Sequence, residues 1–490
     1  MAEYDLAIIG GGLNGVSIAR DAAGRGLRVI LLEQGDLGAG ASSASPRLIH
    51  GDLAVLERRA FRRVRTALAE RDTWLRIAPH LVRPMRFAIP AHSDERPSWL
   101  LRAWLLLYDR LAGRNGLPPS ATVDVTHHPV GNALKRPFGT AFEYSDCVVD
   151  DSRLVIASAV DAAERGADIR TGARCVRADR LDSWRLAVID RGRRRVITAR
   201  ALANASGAWT ASVAETVLRL PPPEAGITQI GQIVVRRLFD SDNVYVFQNS
   251  DRRLIFASPY QREFTLIGTV NQTFRGDPAV VSMAAGDVTY LCDAANRYFR
   301  ERVEPADVIR TVAGVNLVMD PARRRIARDG WLAFDARRGK APLLTVFGGD
   351  VTTARLRAER AVSRLTPFYP MSPRWTATSP LPGGDFAWSR FDDAVDAARE
   401  RWRFLAEGEA QRLVGAYGTR LPAVLGDASN RDDLGPAFGP ELTAAEVRYL
   451  MKREWARFPD DVLWRRSKLG LTMPSEGRDA LAAFMASAAA

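Results

Sequence analysis

The sequence predicts an α/β protein in which a dinucleotide-binding unit of the doubly wound class is joined to an antiparallel sheet and a helical C-terminal domain. Three observations predict this fold. A buried strand, a glycine turn, a helix and a second buried strand follow one another within residues 4–33. Short β-branched and aromatic runs separated by polar turns occupy residues 227–268. Residues 390–490 are mostly helical in pattern and carry no strand signal.

The glycine turn has the spacing of a dinucleotide-binding motif. Gly10, Gly12 and Gly15 satisfy G-x-G-x-x-G between a predicted strand and a predicted helix. We expect Gly10 to permit the tight turn, Gly12 to let the backbone approach a pyrophosphate, and Gly15 to let helix and strand pack closely. The helix N-terminus then offers N–H groups to the phosphates. Glu33 closes the second strand, where a carboxylate can bind ribose hydroxyls.

Two features favour FAD over NAD as the dinucleotide. The motif lies at the N-terminus, and a second glycine turn, Gly348 and Gly349, follows a buried strand predicted at 343–347. The chain is therefore expected to return to the same sheet and complete a flavin site there. Gly207 lies at another predicted strand end, which is where open α/β sheets bind ligands.

Composition narrows the classes of partner. A formal net charge of +12 fits nucleic acid, an anionic membrane surface or an anionic substrate, or else arginines spread over solvated faces. Nucleic-acid binding is not predicted, because it rests on charge alone. Three widely spaced cysteines argue against a disulfide scaffold and a zinc site, and no metal is expected. With no secretory pattern and no apolar run of ~18 residues, a cytoplasmic location is expected.

Two further features each leave two interpretations open. The apolar segment 99–108 is either a helix lying on a membrane surface or one buried within the second domain. Arginines of the C-terminal region form either a basic binding face or, as is more usual, solvated helix faces. These arginines are Arg401, Arg403, Arg412, Arg453, Arg457, Arg465 and Arg466.

Motifs along nearly the whole chain resemble the FAD-dependent, aerobic, quinone-linked glycerol-3-phosphate dehydrogenase family. They are AAGRGL at 22–27, SSAS at 42–45, LIHG at 48–51, FEYSDC at 142–147, DDSRL at 150–154, EW at 454–455 and DDVLWRR at 460–466. The resemblance implies oxidation of sn-glycerol 3-phosphate to dihydroxyacetone phosphate, with hydride passing to the flavin and electrons to a membrane quinone. It also implies peripheral attachment to the inner face of the cytoplasmic membrane.

The candidate site residues follow from the glycine turns and the matched motifs. For FAD they are Gly10, Gly12, Asn14, Gly15, Glu33, Ser42, Ser43, Ser45, His50, Gly207, Gly348, Gly349 and Thr352. His50 is also the candidate for assisting proton removal from a substrate hydroxyl, the alternative being a ring that only packs or hydrogen-bonds against the cofactor. Arg328 is the main basic residue that survives near the substrate, and it is the second catalytic candidate.

The substrate half departs from the family pattern. The family's Gly-Leu-Arg-Tyr becomes DLAV, with Ala54 for arginine, and its Lys-Gly-Ser-His becomes QIGQ at 229–232. Asn316 replaces an arginine and Asp350 a lysine. Because hydrogen bonds to charged groups contribute about 1.5–3 kcal/mol each, three losses would weaken phosphate binding by roughly a thousandfold or more. Three alternatives follow: compensation by other arginines such as those at 323–325, a different small hydroxylated substrate, or a catalytically silent flavoprotein.

The predicted organisation has three parts. The FAD-binding domain comprises 1–75, 145–215 and 340–366, the substrate domain 76–144 and 216–339, and the helical domain 385–490, after a linker at 367–386. The predicted partners are glycerol 3-phosphate or a related polyol, quinone or another electron acceptor, the membrane surface and a second copy of the chain.

Overall fold

A computed structural model describes residues 2–91, 97–113, 115–135, 139–223, 225–249, 251, 253–319 and 330–489. Its strands are β1 (Tyr4–Ile9), β2 (Val29–Glu33), β3 (Leu48–Ile49), β4 (Val82–Pro90), β5 (Ala121–Asp124), β6 (Thr140–Val149), β7 (Asp168–Thr171), β8 (Ala173–Arg180), β9 (Trp184–Asp190), β10 (Arg193–Asn204), β11 (Ala225–Arg236), β12 (Val244–Gln248), β13 (Leu254–Tyr260), β14 (Phe264–Phe274), β15 (Arg310–Met319), β16 (Trp331–Asp335) and β17 (Leu343–Phe347).

The helices follow the same chain order. They are α1 (Leu13–Gly24), α2 (Leu53–Leu56), α3 (Phe61–Ile77), α4 (Ser98–Ala112), α5 (Asp151–Glu164), α6 (Thr210–Ser212), α7 (Ala285–Tyr298), α8 (Ala354–Ser363), α9 (Phe391–Arg401), α10 (Glu407–Tyr417), α11 (Leu421–Leu425), α12 (Ala444–Arg453) and α13 (Ser475–Ala489). Two segments, Val213–Val217 and Asp461–Arg466, have π-helical geometry. No helix in the described part of the chain is long and apolar enough to span a lipid bilayer.

The first sheet contains the predicted dinucleotide-binding unit. Its order is β16-β17-β10-β1-β2-β7, with β8 and β9 extending from β10. The pairs β17–β10, β10–β1, β1–β2 and β2–β7 are parallel, and β16 is antiparallel to β17. Helix α1 packs against α5 and α8 on this sheet. Burial on both faces explains the continuous apolar runs in β1 and β2.

The second sheet has the order β15-β11-β14-β13-β12-β4-β6-β3, with β5 paired to β6. Its pairs are antiparallel except β4–β12, which is parallel. The four strands predicted within 227–268 correspond to β11–β14. Helix α7 contacts β11 and β14, and its buried residues join the apolar core beneath the sheet. Together the two sheets confirm the predicted α/β fold class.

The C-terminal region, α9–α13, packs around an apolar core of its own. The segment 367–386 carries neither helix nor strand. The interpretation of the C-terminal arginines as a solvated face is wrong for three of them. Arg412 binds Glu441 and Glu446, while Arg465 and Arg466 bind Asp36 of the first domain. Periodicity alone could not show these pairings, because the partners are distant in sequence.

Strand pairing shifts two of the predicted domain boundaries. β3 falls in the segment predicted for the FAD-binding domain, yet it pairs with β6 in the second sheet. β16 falls in the segment predicted for the substrate domain, yet it pairs with β17 in the first sheet. β16 pairs with the next strand in the chain, whereas the partner of β3 lies about a hundred residues away, so sequence proximity does not determine which sheet a strand joins.

Candidate functional site

A cavity of about 2150 Å³ lies between the two sheets. One wall is formed by the turns that follow β1, β2, β10 and β17, at the carboxyl ends of these strands. The opposite wall is formed by residues of β11, β12, β14 and β15. The site therefore lies where open parallel sheets bind their ligands, and both sheets contribute to it.

The turn after β1 leaves no room for side chains. A Cβ at Gly10, whose φ is +110°, would lie 2.6 Å from the carbonyl oxygen of Ala205. A Cβ at Gly15 would lie 1.9 Å from the carbonyl oxygen of Gly10, and one at Gly12 would lie 3.1 Å from Ser42 Oγ. Gly10 and Gly12 line the cavity, whereas Gly15 lies at the contact of α1 with the turn. The backbone at the start of α1 is thus open to a ligand.

Glu33, at the end of β2, hydrogen-bonds to the turn after β1 and to the loop after β2. Its carboxylate accepts hydrogen bonds of 2.7 Å from the backbone N–H groups of Gly11 and Gly35. Burial raises the pKa of Glu33 and outweighs the opposing effect of these hydrogen bonds. Because Glu33 also lines the cavity, it can accept hydrogen bonds from a ligand's hydroxyls.

The turn after β17 closes the other end of this wall. Asn14 Nδ2 donates to the carbonyl oxygen of Gly348 over 3.1 Å, which joins α1 to this turn. Arg357 Nε donates to Asn14 Oδ1 over 2.8 Å, and its Nη2 donates to the carbonyl oxygen of Asp350, also over 2.8 Å. Sequence reasoning missed Arg357, since no motif marks it and its role follows only from the position of α8.

His50 follows β3 and lines the cavity. Its backbone N–H donates to Thr352 Oγ1, and its Nδ1 accepts from the backbone N–H of Asp52, both over 3.2 Å. With Nδ1 as an acceptor, a neutral ring carries its proton on Nε2 and is a hydrogen-bond donor there. This geometry favours the alternative in which His50 hydrogen-bonds within the site rather than removing a proton.

A buried network lies behind His50. The backbone N–H of Gly51 donates to the Tyr108 hydroxyl over 2.7 Å, and this hydroxyl donates to Asp146 Oδ2 over 2.7 Å. Arg71 Nη1 donates to Asp146 Oδ1 over 2.8 Å. Burial raises the pKa of Asp146 despite the charge of Arg71. Asp146 lies within the matched FEYSDC motif, which marked this segment in the sequence but not its partners Arg71 and Tyr108.

The positions that depart from the family pattern have local partners. Asp350 Oδ1 accepts from the backbone N–H and hydroxyl of Thr353, so its carboxylate lies at the start of α8. Gln232 Nε2 donates to the carbonyl oxygens of Ala44 and Ser45. Gln229 Nε2 donates to a backbone carbonyl at 282. Both glutamines are buried away from the cavity surface, while Asp350 lines it.

Most of the predicted FAD residues line the cavity. These are Gly10, Gly12, Asn14, Glu33, Ser42, Ser45, His50, Gly207, Gly348 and Gly349. Gly15, Ser43 and Thr352 support it from behind, Ser43 by donating to the carbonyl oxygen of Gly40. Arg328, the arginines at 323–325 and the side chain of Ala54 lie outside the described residues.

Charge is unevenly distributed over the described cavity wall. The lining positions of β11, β14 and β15 are uncharged and include Thr228, Asn271 and Asn316. Arg58 after α2, Arg63 on α3 and Arg253 just before β13 contribute positive charge, while Asp52 and Glu57 contribute negative charge. Arg58 and Arg253 are exposed, so they lie toward the cavity mouth.

Known proteins share both the sequence and the architecture. The family model of FAD dependent oxidoreductases matches residues 5–355, and that of the C-terminal domain of alpha-glycerophosphate oxidase matches residues 374–490. Glycerol-3-phosphate dehydrogenase of Pseudomonas aeruginosa is 44% identical over 96% of this chain and 93% of its own length. This chain belongs to the FAD-dependent glycerol-3-phosphate dehydrogenase family.

One further relative matches this chain in sequence, and one solved structure matches it in fold. D-erythritol 1-phosphate dehydrogenase of Brucella abortus is 40% identical over 95% of this chain and 94% of its own length. The glycerol-3-phosphate dehydrogenase of Bacillus halodurans, solved with FAD, has a TM-score of 0.75 at 21% identity and covers 99% of this chain and 95% of its own. The family models and the relative that is 44% identical confirm the sequence-based resemblance to the family.

The residues present fit FAD as the family cofactor. The turn at Gly10 and Gly12 is free of side chains, the start of α1 faces the cavity, and Glu33 is fixed at the edge where a ribose would bind. The turn at Gly348 and Gly349 continues the same wall. The prediction of FAD is confirmed.

Proposed function

We propose that this family member oxidises sn-glycerol 3-phosphate to dihydroxyacetone phosphate and passes the electrons to quinone. The observation that carries the proposal is one continuous cavity that joins the glycine turn of α1 to His50 and the second sheet. A polyol bound against the second sheet would therefore lie next to the cofactor wall. The relative that is 44% identical and shares nearly the full length supports the choice of substrate.

Different residues of the described cavity are assigned to binding the substrate and to orienting it beside FAD. When bound, FAD supplies the acceptor for hydride and two electrons. We assign His50 Nε2 to hydrogen bonding within the site, and its orientation is fixed by Asp52 and Thr352. Arg58, which is exposed and lines the cavity, supplies positive charge of the kind that a phosphate requires in place of its hydration. Arg328 keeps its predicted role near the substrate as part of this proposal.

A second candidate is oxidation of a different hydroxylated substrate. It is favoured by the uncharged lining of the second sheet and by Asp350, a carboxylate at a position where the family has lysine. The relative named D-erythritol 1-phosphate dehydrogenase is 40% identical, so relatives at 40–44% identity carry the names of two different substrates. Overall similarity therefore does not choose between polyol phosphates.

Anaerobic reduction of the bound flavin separates the two candidates. Purified holoprotein is mixed, without oxygen, with glycerol 3-phosphate, with erythritol phosphate and with glycerol in parallel. Loss of the oxidised flavin absorbance with glycerol 3-phosphate supports the first candidate. Loss only with a longer polyol phosphate or an uncharged polyol supports the second, and no loss with any of them contradicts both.

We further propose that α4 contacts the membrane surface. One side of α4 packs on the core through Leu105 and Tyr108, but Trp99 is 71% exposed and Leu106 is 50% exposed. Helices α2 and α3 contact α4; the turn between them carries exposed arginines at 58 and 59, and α3 carries exposed arginines at 62 and 65. Exposed apolar side chains beside basic ones are typical of surfaces that bind anionic lipid. This surface adjoins the cavity mouth, so a quinone dissolved in the membrane could approach the flavin from there.

Vesicle binding tests this surface. The double variant Trp99→Ser/Leu106→Ser should lose sedimentation with anionic phospholipid vesicles and keep flavin reduction by soluble substrate. Phe458→Ser is the matched control, because Phe458 is 61% exposed in the C-terminal region. Equal binding of both variants and the wild type would contradict the assignment. Homodimer formation remains a prediction, and so does the three-part domain division, with β3 and β16 reassigned by their strand pairing.

A further inference from the structure

Two loops that line the FAD cavity are bound by charged side chains of the C-terminal region. The first loop follows Glu33, the last residue of β2, and contains Asp36. The second follows the short helical turn at 41–43 and contains Ser45. The C-terminal segment 454–468 contacts the first loop directly and the second through the start of α5. The segment itself is absent from the cavity wall.

The first loop is bound through Asp36. Arg465 and Arg466 both pair with its carboxylate, and Arg466 Nη2 lies 2.8 Å from Asp36 Oδ1. Nη2 of Arg466 also donates to the carbonyl oxygen of Glu454 over 2.6 Å. The side chain of Arg466 is 0% exposed and that of Asp36 is 8% exposed. This ion pair is therefore shielded from solvent.

The charges of this pair depend on one another. Burial alone would raise the pKa of Asp36, but hydrogen bonding to Arg466 and the charges of Arg466 and Arg465 lower it. Removing Arg466 would leave this buried carboxylate with the more exposed Arg465 as its remaining partner in the pair, and a buried carboxylate that has lost part of its compensating charge draws its loop toward water. Asp36 lies three residues after Glu33, so movement of Asp36 would displace the loop that also holds Glu33.

The second loop is bound through the start of α5. Lys468 Nζ lies 2.9 Å from Asp150 Oδ1 and also contacts the Ser152 hydroxyl. The adjacent Asp151 accepts hydrogen bonds from Ser45 Oγ over 2.8 Å and from the backbone N–H of Ser45 over 3.2 Å. Lys468 thus fixes the turn that orients Asp151, and Asp151 fixes a residue of the cavity wall.

We propose that Arg465, Arg466 and Lys468 are positioning residues through which the C-terminal region sets how tightly FAD is retained. None of the three lines the cavity, so they act through Asp36 and Ser45. The inference goes beyond the proposed function, because it concerns cofactor retention and holds whichever polyol is oxidised.

The test measures FAD affinity rather than turnover. FAD is removed from the full-length protein, and rebinding is followed by the change in flavin fluorescence for the wild type, Arg466→Gln, Asp36→Asn and the double variant. Each single variant should raise the FAD dissociation constant about tenfold or more. Because the two residues act as one unit, the double variant should raise the FAD dissociation constant by distinctly less than the product of the two single effects.

A matched control exists at the same domain contact. Arg420 pairs with Glu164 at the end of α5 over 2.6 Å, with side chains 41% and 43% exposed, and neither residue lines the cavity. Glu164→Gln should leave the FAD dissociation constant unchanged. Arg465→Gln, at a less buried position, replaces Arg466→Gln if that variant does not fold.

Two results would overturn the proposal. In the first, the arginine variants lower the melting temperature of the FAD-free protein but bind FAD as tightly as the wild type, which indicates a purely structural contact. In the second, Asp36→Asn weakens FAD binding while Arg466→Gln and Arg465→Gln do not, which indicates that Asp36 acts without the C-terminal region. Because no substrate is added, neither result depends on the proposed oxidation.

Discussion

The cofactor wall and the substrate wall of the cavity are built in different ways. The cofactor wall is made of backbone, since a side chain at Gly10 or Gly15 would collide with another part of the chain. The described substrate wall is made of side chains such as Thr228 and Asn316, which project from paired strands. Other residues of similar size could occupy these strand positions. The first wall is therefore constrained by the fold, whereas the second can change its chemistry and leave the fold intact.

The largest effect is expected at the cofactor wall, from Gly15→Ala. The new Cβ would lie 1.9 Å from the carbonyl oxygen of Gly10, so the turn that receives the pyrophosphate must move. We expect the protein to lose its FAD, as measured by the ratio of flavin to protein absorbance after purification. Gly286→Ala, where no atom lies within 4 Å of the new Cβ, is the control and should keep its FAD. Retention of FAD by Gly15→Ala would show that backbone crowding does not define this wall.

A smaller effect is expected where the two walls meet, from His50→Gln. The flexible glutamine amide does not keep the donor where Asp52 holds the ring, and a hydrogen bond to a charged substrate oxygen contributes about 1.5–3 kcal/mol, so kcat should fall roughly ten- to hundredfold. FAD content should not change, because the cradle is held by other residues. His127→Gln, at an exposed position, is the control. An unchanged kcat would show that His50 makes no hydrogen bond that the reaction requires.

The substrate wall itself is tested by Asn316→Arg. Restoring the family's arginine should lower the KM for glycerol 3-phosphate and strengthen competitive inhibition by inorganic phosphate, each about tenfold, from one charged hydrogen bond. Thr311→Arg places the same charge on β15 at an exposed position outside the cavity lining and should change neither. Equal responses in the two variants would mean that general charge, rather than the wall, governs phosphate binding.

The smallest effect concerns pH and the contact between α5 and the C-terminal region. Burial alone would raise the pKa of Asp150, but Lys468 and Arg47 lower it from 3.8 to about 2. A depressed carboxylate pKa stabilises the folded state above the unfolded value, and this stabilisation is lost as the pH falls from 3.8 toward 2. The melting temperatures of the wild type and Asp150→Asn should therefore converge over that range. Asp396→Asn, at an exposed carboxylate, is the control.

Sequence patterns predicted the parts of the molecule that depend on local chemistry. The strand predicted at 343–347 is β17, and the predicted strand, turn and helix around Gly10 are β1 and α1. The family was also identified correctly from its motifs. These features follow from runs of apolar residues and from glycine spacing, both of which are local.

The features that sequence reasoning missed all depend on distant partners. Arg357 reaches Asn14 across the fold, and Asp146 is bound by Arg71 and Tyr108 from other elements. Arg466 follows a helical pattern typical of a solvated face, yet it is fully buried on Asp36. Hydrophobic periodicity carries no information about which charged or polar side chains pair with each other, so only the tertiary structure could reveal these pairs.

The most direct test of the difference between the two walls is the rate of anaerobic flavin reduction by wild-type holoprotein as a function of glycerol 3-phosphate concentration. An intact cofactor wall and an altered substrate wall predict complete reduction of the flavin, but saturation only at concentrations about tenfold or more above those that saturate Asn316→Arg. Saturation of the wild type at the same or lower concentrations than the variant, or no reduction at all, would contradict this account.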